Sequence, residues 1–443
     1  MKRLLIITYY WPPSGGSGVQ RWLKFVKYLR QSGWEPVIYT PENPELPEAD
    51  ASLEIDIPEE VEIIRRPIWE PYIIYKRLAG LKKDDKLGAG FVNTKKKSGI
   101  IKELSLWIRG NFLIPDPRCF WIKPSVAFLK QYLETNPVDA IVSTGPPHSM
   151  HRIALHVHRK TNLPWLADFR DPWTNIDFYK ELHLTSIADH IHHKMELQIL
   201  KEATRITVIG PYMSTDFKRL LDRPYQIITN GFDPDDTGLP TAIQPKGKFS
   251  IAHIGTMAAS RNPVSLWKAL QQLSLELPGF KDDLEIYLTG NVDIMITSSI
   301  NAFGLEACLH KIEYLPHDKV ISLQKSSAVL LLQINNTPNA RMILPGKFFE
   351  YMASGRPILC IGPTDGDSAT IIKETGCGYT AGFEDIELIR THLVKLYAAY
   401  KKGELVVSPA EIKRFSRPEL TRRLAALLDE MIMEPINPKD ETH

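Results

Sequence analysis

At 443 residues the chain is too long for one ordinary hydrophobic core, and two domains of roughly 200 residues are the natural division. Apolar residues make up 43% and charged residues 24%, as in a soluble globular protein, and the net charge of +2 carries no global nucleic-acid signature. Four scattered cysteines (Cys119, Cys308, Cys360, Cys377) form no Cys-x-x-Cys pair, which argues for reduced thiols in a cytoplasmic protein and against a disulfide framework or a zinc site.

The N-terminus opens Met1-Lys2-Arg3 and then Leu4–Ile7, but the apolar run stops at Tyr9-Tyr10-Trp11-Pro12-Pro13 with no small-residue cleavage site, so it does not read as a signal peptide. No stretch approaches the roughly 18 apolar residues of a membrane span. Any membrane contact is therefore expected to be peripheral.

Leu4–Thr8 reads as a buried parallel strand. A loop with Pro12, Pro13, Gly15, Gly16 and Gly18 follows, then a helix over Gln20–Gln31 with Trp22, Phe25, Val26 and Leu29 on one face. Gly33 ends that helix and Glu35–Tyr39 is the next strand, so the start of the chain is a β-loop-α-β unit of a doubly wound α/β domain. Ala140–Ser143, Trp165–Ala167, Arg205–Val208 and Gln226–Ile228 read as later strands of the same sheet.

Between about 69 and 124 the α/β rhythm breaks. From Lys76 to Arg109 ten basic residues (Lys76, Arg77, Lys82, Lys83, Lys86, Lys95, Lys96, Lys97, Lys102, Arg109) face three acids (Asp84, Asp85, Glu103), a local balance of +7. Tyr72, Tyr75, Phe91, Trp107 and Phe112 are interleaved with them. The segment reads either as a solvated insertion or as a surface for anionic lipid, to which each basic residue contributes about 1 kcal/mol. No nucleic-acid-binding module accompanies it.

Pro234–Pro245 reads as a linker. A second α/β series follows, with strands at Ser250–Ile254, Leu284–Leu288, Ile312–Tyr314, Ala328–Leu332 and Ile358–Ile361, and a helix from Pro263 to about Glu276. The last segment, Pro418–Met431, is amphipathic and helical.

The most informative stretch runs from Pro345 to Cys360. Lys347 and Glu350 lie three apart and share a helix face, Gly355 is placed as a C-cap, and Pro357 leads into a strand. A solvated amphipathic helix would satisfy that pattern. Lys-x-x-Glu-Tyr-x-Ala-x-Gly-x-Pro segments also resemble those of nucleotide-sugar glycosyltransferases of the GT-B fold. Tyr9–Gly16 is similar to the opening of glycosyltransferase family 4 proteins of bacterial surface-polysaccharide synthesis, Asn230-Gly231-Phe232-Asp233 to their Asn-Gly-Val-Asp element, and Gly255-Thr256 with Arg261 falls at their Gly-Arg…Lys-Gly element.

The resemblance implies a GT-B fold: two doubly wound Rossmann-like domains facing a cleft. The acceptor domain spans 1–233 with the basic insertion, the nucleotide-sugar domain spans 246–417, and a terminal helix in 418–443 crosses back to the first domain. It implies a hexosyl-type transfer from a nucleotide diphosphate sugar to a glycan or lipid-linked acceptor, retaining and without an obligatory metal or other cofactor. Gly15, Gly16, Gly255, Thr256, Arg261 and Lys347 would meet the donor phosphates and Glu350 the ribose hydroxyls. Thr256 stands where the family has an Arg, leaving Arg261 and Lys347 as the cations. Met342 stands where many members carry a first glutamate, eight residues before Glu350 with seven between them; backbone N–H groups around Met342–Leu344 could partly substitute.

Acceptor-side candidates follow first-domain strands. Asp168 and Asp171 flank Arg170 ahead of Pro172-Trp173, and either acid could orient the acceptor hydroxyl, unless the three form a closed Asp-Arg-Asp salt bridge. His148 in Gly145-Pro146-Pro147-His148 could approach the acceptor or cap a helix, and Pro115-Asp116-Pro117-Arg118 reads as a rigid turn at the cleft edge. No His-Glu-x-x-His pattern suggests zinc. A nucleotide-sugar 2-epimerase of the same fold, or a binding partner without catalysis, would use the same donor residues.

Overall fold

The computed structural model describes residues 1–45, 49–71, 99–238, 247–313, 315–405, 407 and 410–433. Lys76, Arg77, Lys82, Lys83, Lys86 and Lys95–Lys97 of the basic insertion, with Tyr72, Tyr75, Phe91, Asp84 and Asp85, lie outside the described residues, as do Tyr314 and 239–246 of the expected linker. The chain divides into two compact units, Met1–Thr229 with the residues from Leu420 onward, and Asn230–Glu419.

The first unit is built on a seven-stranded, all-parallel sheet in the order β3-β2-β1-β4-β5-β6-β7. The strands are β1 (Lys2–Ile7), β2 (Trp34–Pro41), β3 (Glu62–Arg66), β4 (Ala140–Gly145), β5 (Trp165–Phe169), β6 (Arg205–Val208) and β7 (Gln226–Ile227). Leu4 to Ile7 are fully buried, as expected of a central strand covered on both faces. Helix α1 (Ser17–Leu29) follows β1 and lays Val19, Trp22, Leu23, Phe25, Val26 and Leu29 into the core; Gly33, at φ 83°, closes its 3-10 extension. The further helices are α2 (Gly99–Phe112), α3 (Ile122–Thr135), α4 (Ser149–Thr161), α5 (Ser186–Glu202) and α6 (Pro211–Leu220).

The second unit repeats the plan with six parallel strands in the order β10-β9-β8-β11-β12-β13. These are β8 (Phe249–Ile254), β9 (Leu284–Thr289), β10 (Leu309–Ile312), β11 (Val329–Gln333), β12 (Ile358–Ile361) and β13 (Gly378–Ala381). Between them run α7 (Val264–Glu276), α8 (Phe280–Asp283), α9 (Ile294–Ala302), α10 (His317–Ser326), α11 (Gly346–Ala353), α12 (Asp367–Thr375) and α13 (Ile386–Lys402). The strand expected at Ile312–Tyr314 lies three residues earlier, where Leu309–Ile312 pairs with β9.

Helix α14 (Arg417–Met433) places Leu420, Leu424, Leu427, Leu428 and Met431 in the core of the first unit. Its Asp429 pairs with Lys2 and accepts from Trp34 Nε1 at 2.9 Å. The order 3-2-1-4 in each sheet leaves a topological switch point at the carboxyl ends of its central strands, β1 and β4 in one and β8 and β11 in the other, where open α/β sheets take ligands. No helix among the described residues is long and apolar enough to cross a membrane.

Candidate functional site

At the carboxyl end of β8 the chain turns through Gly255, whose φ of 112° is open only to glycine. A Cβ at Gly255 would sit 3.5 Å from Lys347 Nζ, and one at Gly290, beyond β9, would press on the Gly255 backbone at 3.1 Å. The two glycines thus let the β8 and β9 turns stack beside the lysine. Lys347 lies in the first turn of α11 and donates to the Ile254 carbonyl at 3.0 Å, with His253 Nε2 at 3.2 Å. The other ring nitrogen of His253 donates to Leu331 O at 3.2 Å, which leaves Nε2 as the acceptor. Burial first, and the neighbouring ammonium second, keep that imidazole neutral.

Both partners of Lys347 are therefore neutral. Crowding by protein atoms, then the Arg261 guanidinium, push its ammonium down to about 7, with Glu350 pulling the other way. Arg261 ends a 3-10 turn over Ala259–Arg261 and donates to Asn335 Oδ1 in the loop after β11. Thr256 is exposed and brings no charge. The first turn of α11 carries no acid and no side-chain cap; Phe348 N donates to Pro345 O at 3.1 Å, which leaves the N–H groups of Gly346 and Lys347 to face an anion.

Glu350, one turn along, faces a different neighbour. It accepts from Gln324 of α10 at 3.3 Å and lines a shallow, solvent-open recess with Phe232, Asp233, Ile321 and Ser354. Gly355 at φ 71° closes the helix. Met342 is buried in the 3-10 turn Ala340–Met342, and its N–H and that of Ile343 are spent on Asn339 O and Ala340 O at 3.0 and 3.2 Å. Those two backbone donors are therefore used within the turn.

In the first unit the glycine loop leads into α1 with Gly16 at φ 85° and no side-chain cap; Gly15 is buried and Gly16 exposed. Arg170, just past β5, crosses to this loop: Nη1 donates to Gly18 O at 2.8 Å and Nη2 to Pro146 O. A Cβ on Gly18 would meet that guanidinium at 3.0 Å and the Tyr10 ring at 3.1 Å. Arg170 thus ties the loop after β1 to the loop after β4, and its Nε is buried without a hydrogen-bond partner among the described residues.

The closed Asp168-Arg170-Asp171 salt bridge does not form. Asp168 pairs instead with Arg21 of α1, through Nη2 at 2.8 Å and Nε at 3.1 Å, and also accepts from Trp22 Nε1 (2.7 Å), Thr144 (2.9 Å) and Thr207 (2.8 Å). Burial alone would raise this carboxyl, but the charge and hydrogen bonds of Arg21, with the Trp22 and Thr207 donors, hold it at about 2. Five donors fill its acceptor positions, so Asp168 is a buried hub joining α1 to three strands and not a group free to meet an acceptor hydroxyl.

Asp171 is exposed; Arg170 beside it favours the ionised carboxylate and Asp177 disfavours it. His148 stacks on Trp173, centroids 4.4 Å apart and planes 3° from parallel, and its Nδ1 is buried without a hydrogen-bond partner among the described residues. Burial first, then His151, His192 and Arg170, keep it neutral. Asp116 accepts from Ser149 N and Oγ at 2.8 and 2.9 Å and so caps α4, fixing the loop that carries His148. Trp173 is held in turn by Glu196 of α5, which accepts from its N–H at 3.2 Å.

Sequence reasoning missed four residues: Arg21, His253, Gly290 and Asn335. His253 near the end of the buried Phe249–Ile254 strand was the one available signal. The partners of the others lie 35 to 147 positions away. Among the described residues no group of three or more metal-ligating side chains converges.

No protein-family profile matches the chain, and no curated protein matches it by sequence. Solved structures do. WaaG, a glycosyltransferase involved in lipopolysaccharide biosynthesis, is 14% identical with a TM-score of 0.57 over 96% of this chain and 99% of that one. A sucrose-phosphate synthase from Thermosynechococcus elongatus is 13% identical with a TM-score of 0.56 over 98% and 97%. An S. aureus TarM variant, in complex with fondaparinux, α-GlcNAc-glycerol and UDP, is 10% identical with a TM-score of 0.56 over 98% and 100%. With two parallel sheets in doubly wound order, this likeness establishes the GT-B fold for the chain.

Proposed function

We propose that the chain is a glycosyltransferase that moves a sugar from a nucleotide diphosphate sugar to a glycan or lipid-linked acceptor, with retention at the anomeric carbon. The observation that carries this reading is Lys347: a cation at the switch point of its sheet, beside two glycine turns and the Arg261 guanidinium, with neutral partners only. Such a group suits a diphosphate, whose charge grows as the bond from its oxygen to the sugar C1 breaks. In this reading Lys347, Arg261 and the first N–H groups of α11 hold the departing diphosphate, and Glu350 accepts from the ribose hydroxyls. The acceptor oxygen forms the new bond to C1, and Asp171 or the departing phosphate oxygen takes its proton. His148 and Arg170 position the acceptor, and Asp168 holds the loops in place. The phosphate charge is met by side chains and helix N–H groups, so transfer is expected to persist in chelator.

Calorimetry with UDP, GDP, ADP and their sugars, on wild type and Glu350→Ala, tests the donor site. Saturable binding of one nucleotide class, weakened in the variant, is the expected result; no binding by folded protein overturns the reading. The buried Met342, in place of a carboxylate, favours one competitor, a nucleotide-sugar-binding partner without catalysis. Donor binding with neither transfer nor donor hydrolysis across a broad acceptor set would select it.

A further inference from the structure

Strands β8 and β11 pair through Ile251 and Ala252 and then part, so the last residues of β8 are met by other groups. Helix α11 reaches them with two side chains one turn apart. Tyr351 accepts from Ile254 N at 3.0 Å, and Lys347 donates to Ile254 O at 3.0 Å. His253, fully buried, bridges the parted strands and the helix: Nδ1 donates to Leu331 O on β11, and Nε2 accepts from Lys347 Nζ. A carbonyl can only accept, so the Leu331 contact fixes the tautomer and aims the Nε2 lone pair at the lysine.

An ammonium has three N–H donors. Nε2 of His253 and the Ile254 carbonyl take two, and one remains. Gly255 keeps the approach to Nζ open, since a Cβ there would lie 3.5 Å away. A carboxylate in the place of the imidazole would hold the lysine as firmly but would cancel the charge that a diphosphate needs. A hydrocarbon would spare the charge but fix no direction. A neutral ring acceptor, oriented from a second strand, does both. The other charged and titratable groups around the pair are Arg261, from the turn after β8, and Glu350 and Tyr351 on α11; Arg261 opposes the ammonium and Glu350 favours it.

We infer that His253 is the positioning residue of the donor-phosphate cation: its Nε2 lone pair orients the Lys347 ammonium without neutralising it, so that the remaining N–H is left for a diphosphate oxygen. This role rests on the reading of Lys347 as that cation. A hydrogen bond to the charged form favours it, so His253 also keeps Lys347 protonated to a higher pH than its buried position alone would allow.

The titration of Lys347 is read directly from the Cε resonance of carbon-13-labelled lysine in the full-length protein, assigned as the signal absent from Lys347→Met. Wild type is expected to titrate at about 7. His253→Phe keeps a ring without the acceptor, and its midpoint should fall by about one pH unit. His253→Asn, whose amide reaches toward Leu331 O but is too short for Lys347, should fall likewise, and it carries the test if His253→Phe misfolds. His253→Gln, long enough to offer Lys347 an oxygen, should stay within about 0.3 unit of wild type. Affinity for inorganic pyrophosphate, taken as a ratio to wild type so that the ligand's own titration cancels, should drop about tenfold at pH 8 but only about twofold at pH 6 in the Phe and Asn variants. A role in packing alone would give equal losses at both pH values. An unmoved Lys347 midpoint, equal losses, or a Gln variant as impaired as the Phe variant overturns the inference and leaves the donor site standing. Folded wild type that binds neither pyrophosphate nor any nucleotide overturns the donor-site reading, and this role with it.

Discussion

The two sheets share one topology but treat charge at their switch points in opposite ways. In the first unit the buried carboxylates are matched by cations and donors: Asp168 takes Arg21, and Glu70 takes Arg118 at 3.0 Å together with the Tyr9 hydroxyl at 3.0 Å. The histidines there, His148 and His151, are kept neutral by burial. In the second unit Lys347 has only a carbonyl and an imidazole, and Arg261 adds to its electrostatic strain. The Asp168–Arg21 hub is complete without a ligand and reads as architecture. The Lys347 arrangement holds an unpaid desolvation cost that an anion would relieve, and so reads as a binding site.

The sharpest way to break this comparison is at Arg21. Arg21→Met leaves Asp168 buried without its cation, a loss of about 3–5 kcal/mol, measured by chemical denaturation. The same pair gives a pH signature. Asp168 at about 2 lies below its unfolded value, so its contribution is present above pH 4 and is lost as pH falls toward 2. A wild-type unfolding free energy that is flat over that range would remove Asp168 from the hub role.

At Lys347 the comparison predicts the opposite sign. Lys347→Met should lower donor-nucleotide affinity by about 10–100-fold, the worth of a charge-assisted contact. It should also make the protein more stable near neutral pH, by about 1–2 kcal/mol, because it removes a poorly solvated charge. The ammonium is depressed to about 7, below its unfolded value, so it burdens the native state fully below pH 7. That burden fades as pH rises toward 10, and the stability gap between variant and wild type should close over the same interval. A destabilised variant that still binds nucleotide would reduce Lys347 to a helix-packing residue.

A smaller effect follows in wild type. A diphosphate favours the charged lysine, so nucleotide binding above pH 7 should draw a proton from solution, and affinity should fall by up to about tenfold per pH unit as pH rises from 7. Calorimetry in two buffers of different ionisation enthalpy reads that proton directly. Equal heats in both would place the anion away from Lys347.

Legibility in the sequence followed locality. The β1-α1-β2 unit, β6 and β12 were readable within a few residues because each is a compact apolar run bounded by glycine or proline. β3 was not, since its Glu62–Arg66 segment is a half-exposed edge with three charges in five residues. β13 was hidden by its first residue: Gly378 leaves room for the backbone of β12, and a Cβ there would fall 2.0 Å from Ile358 O, so a poor strand former stands where two backbones approach closely. The Lys347–Glu350 spacing was equally local. Asp168 was misjudged because its nearest charges in sequence, Arg170 and Asp171, are not its partners. Its register neighbours are Thr144 on β4 and Thr207 on β6, and α1 brings Arg21 and Trp22 from the start of the chain. Only the strand order assembles that carboxylate's shell.

The smallest expected effect divides the second site within itself. Glu350 shares a helix face with Lys347 by spacing, yet among the described residues its hydrogen-bond partner is Gln324 at 3.3 Å, a long and modest contact. Glu350→Gln keeps the shape and an acceptor oxygen, so stability should move by less than about 0.5 kcal/mol. Nucleotide affinity should fall by about three- to tenfold if the ionised carboxylate takes both ribose hydroxyls, and affinity for inorganic pyrophosphate, which has no ribose, should not change. Lys347→Met should weaken both ligands. Equal losses for nucleotide and pyrophosphate in the Glu350 variant would mean that Glu350 acts through Lys347, by charge along α11, and that the recess beside it holds no part of the nucleoside.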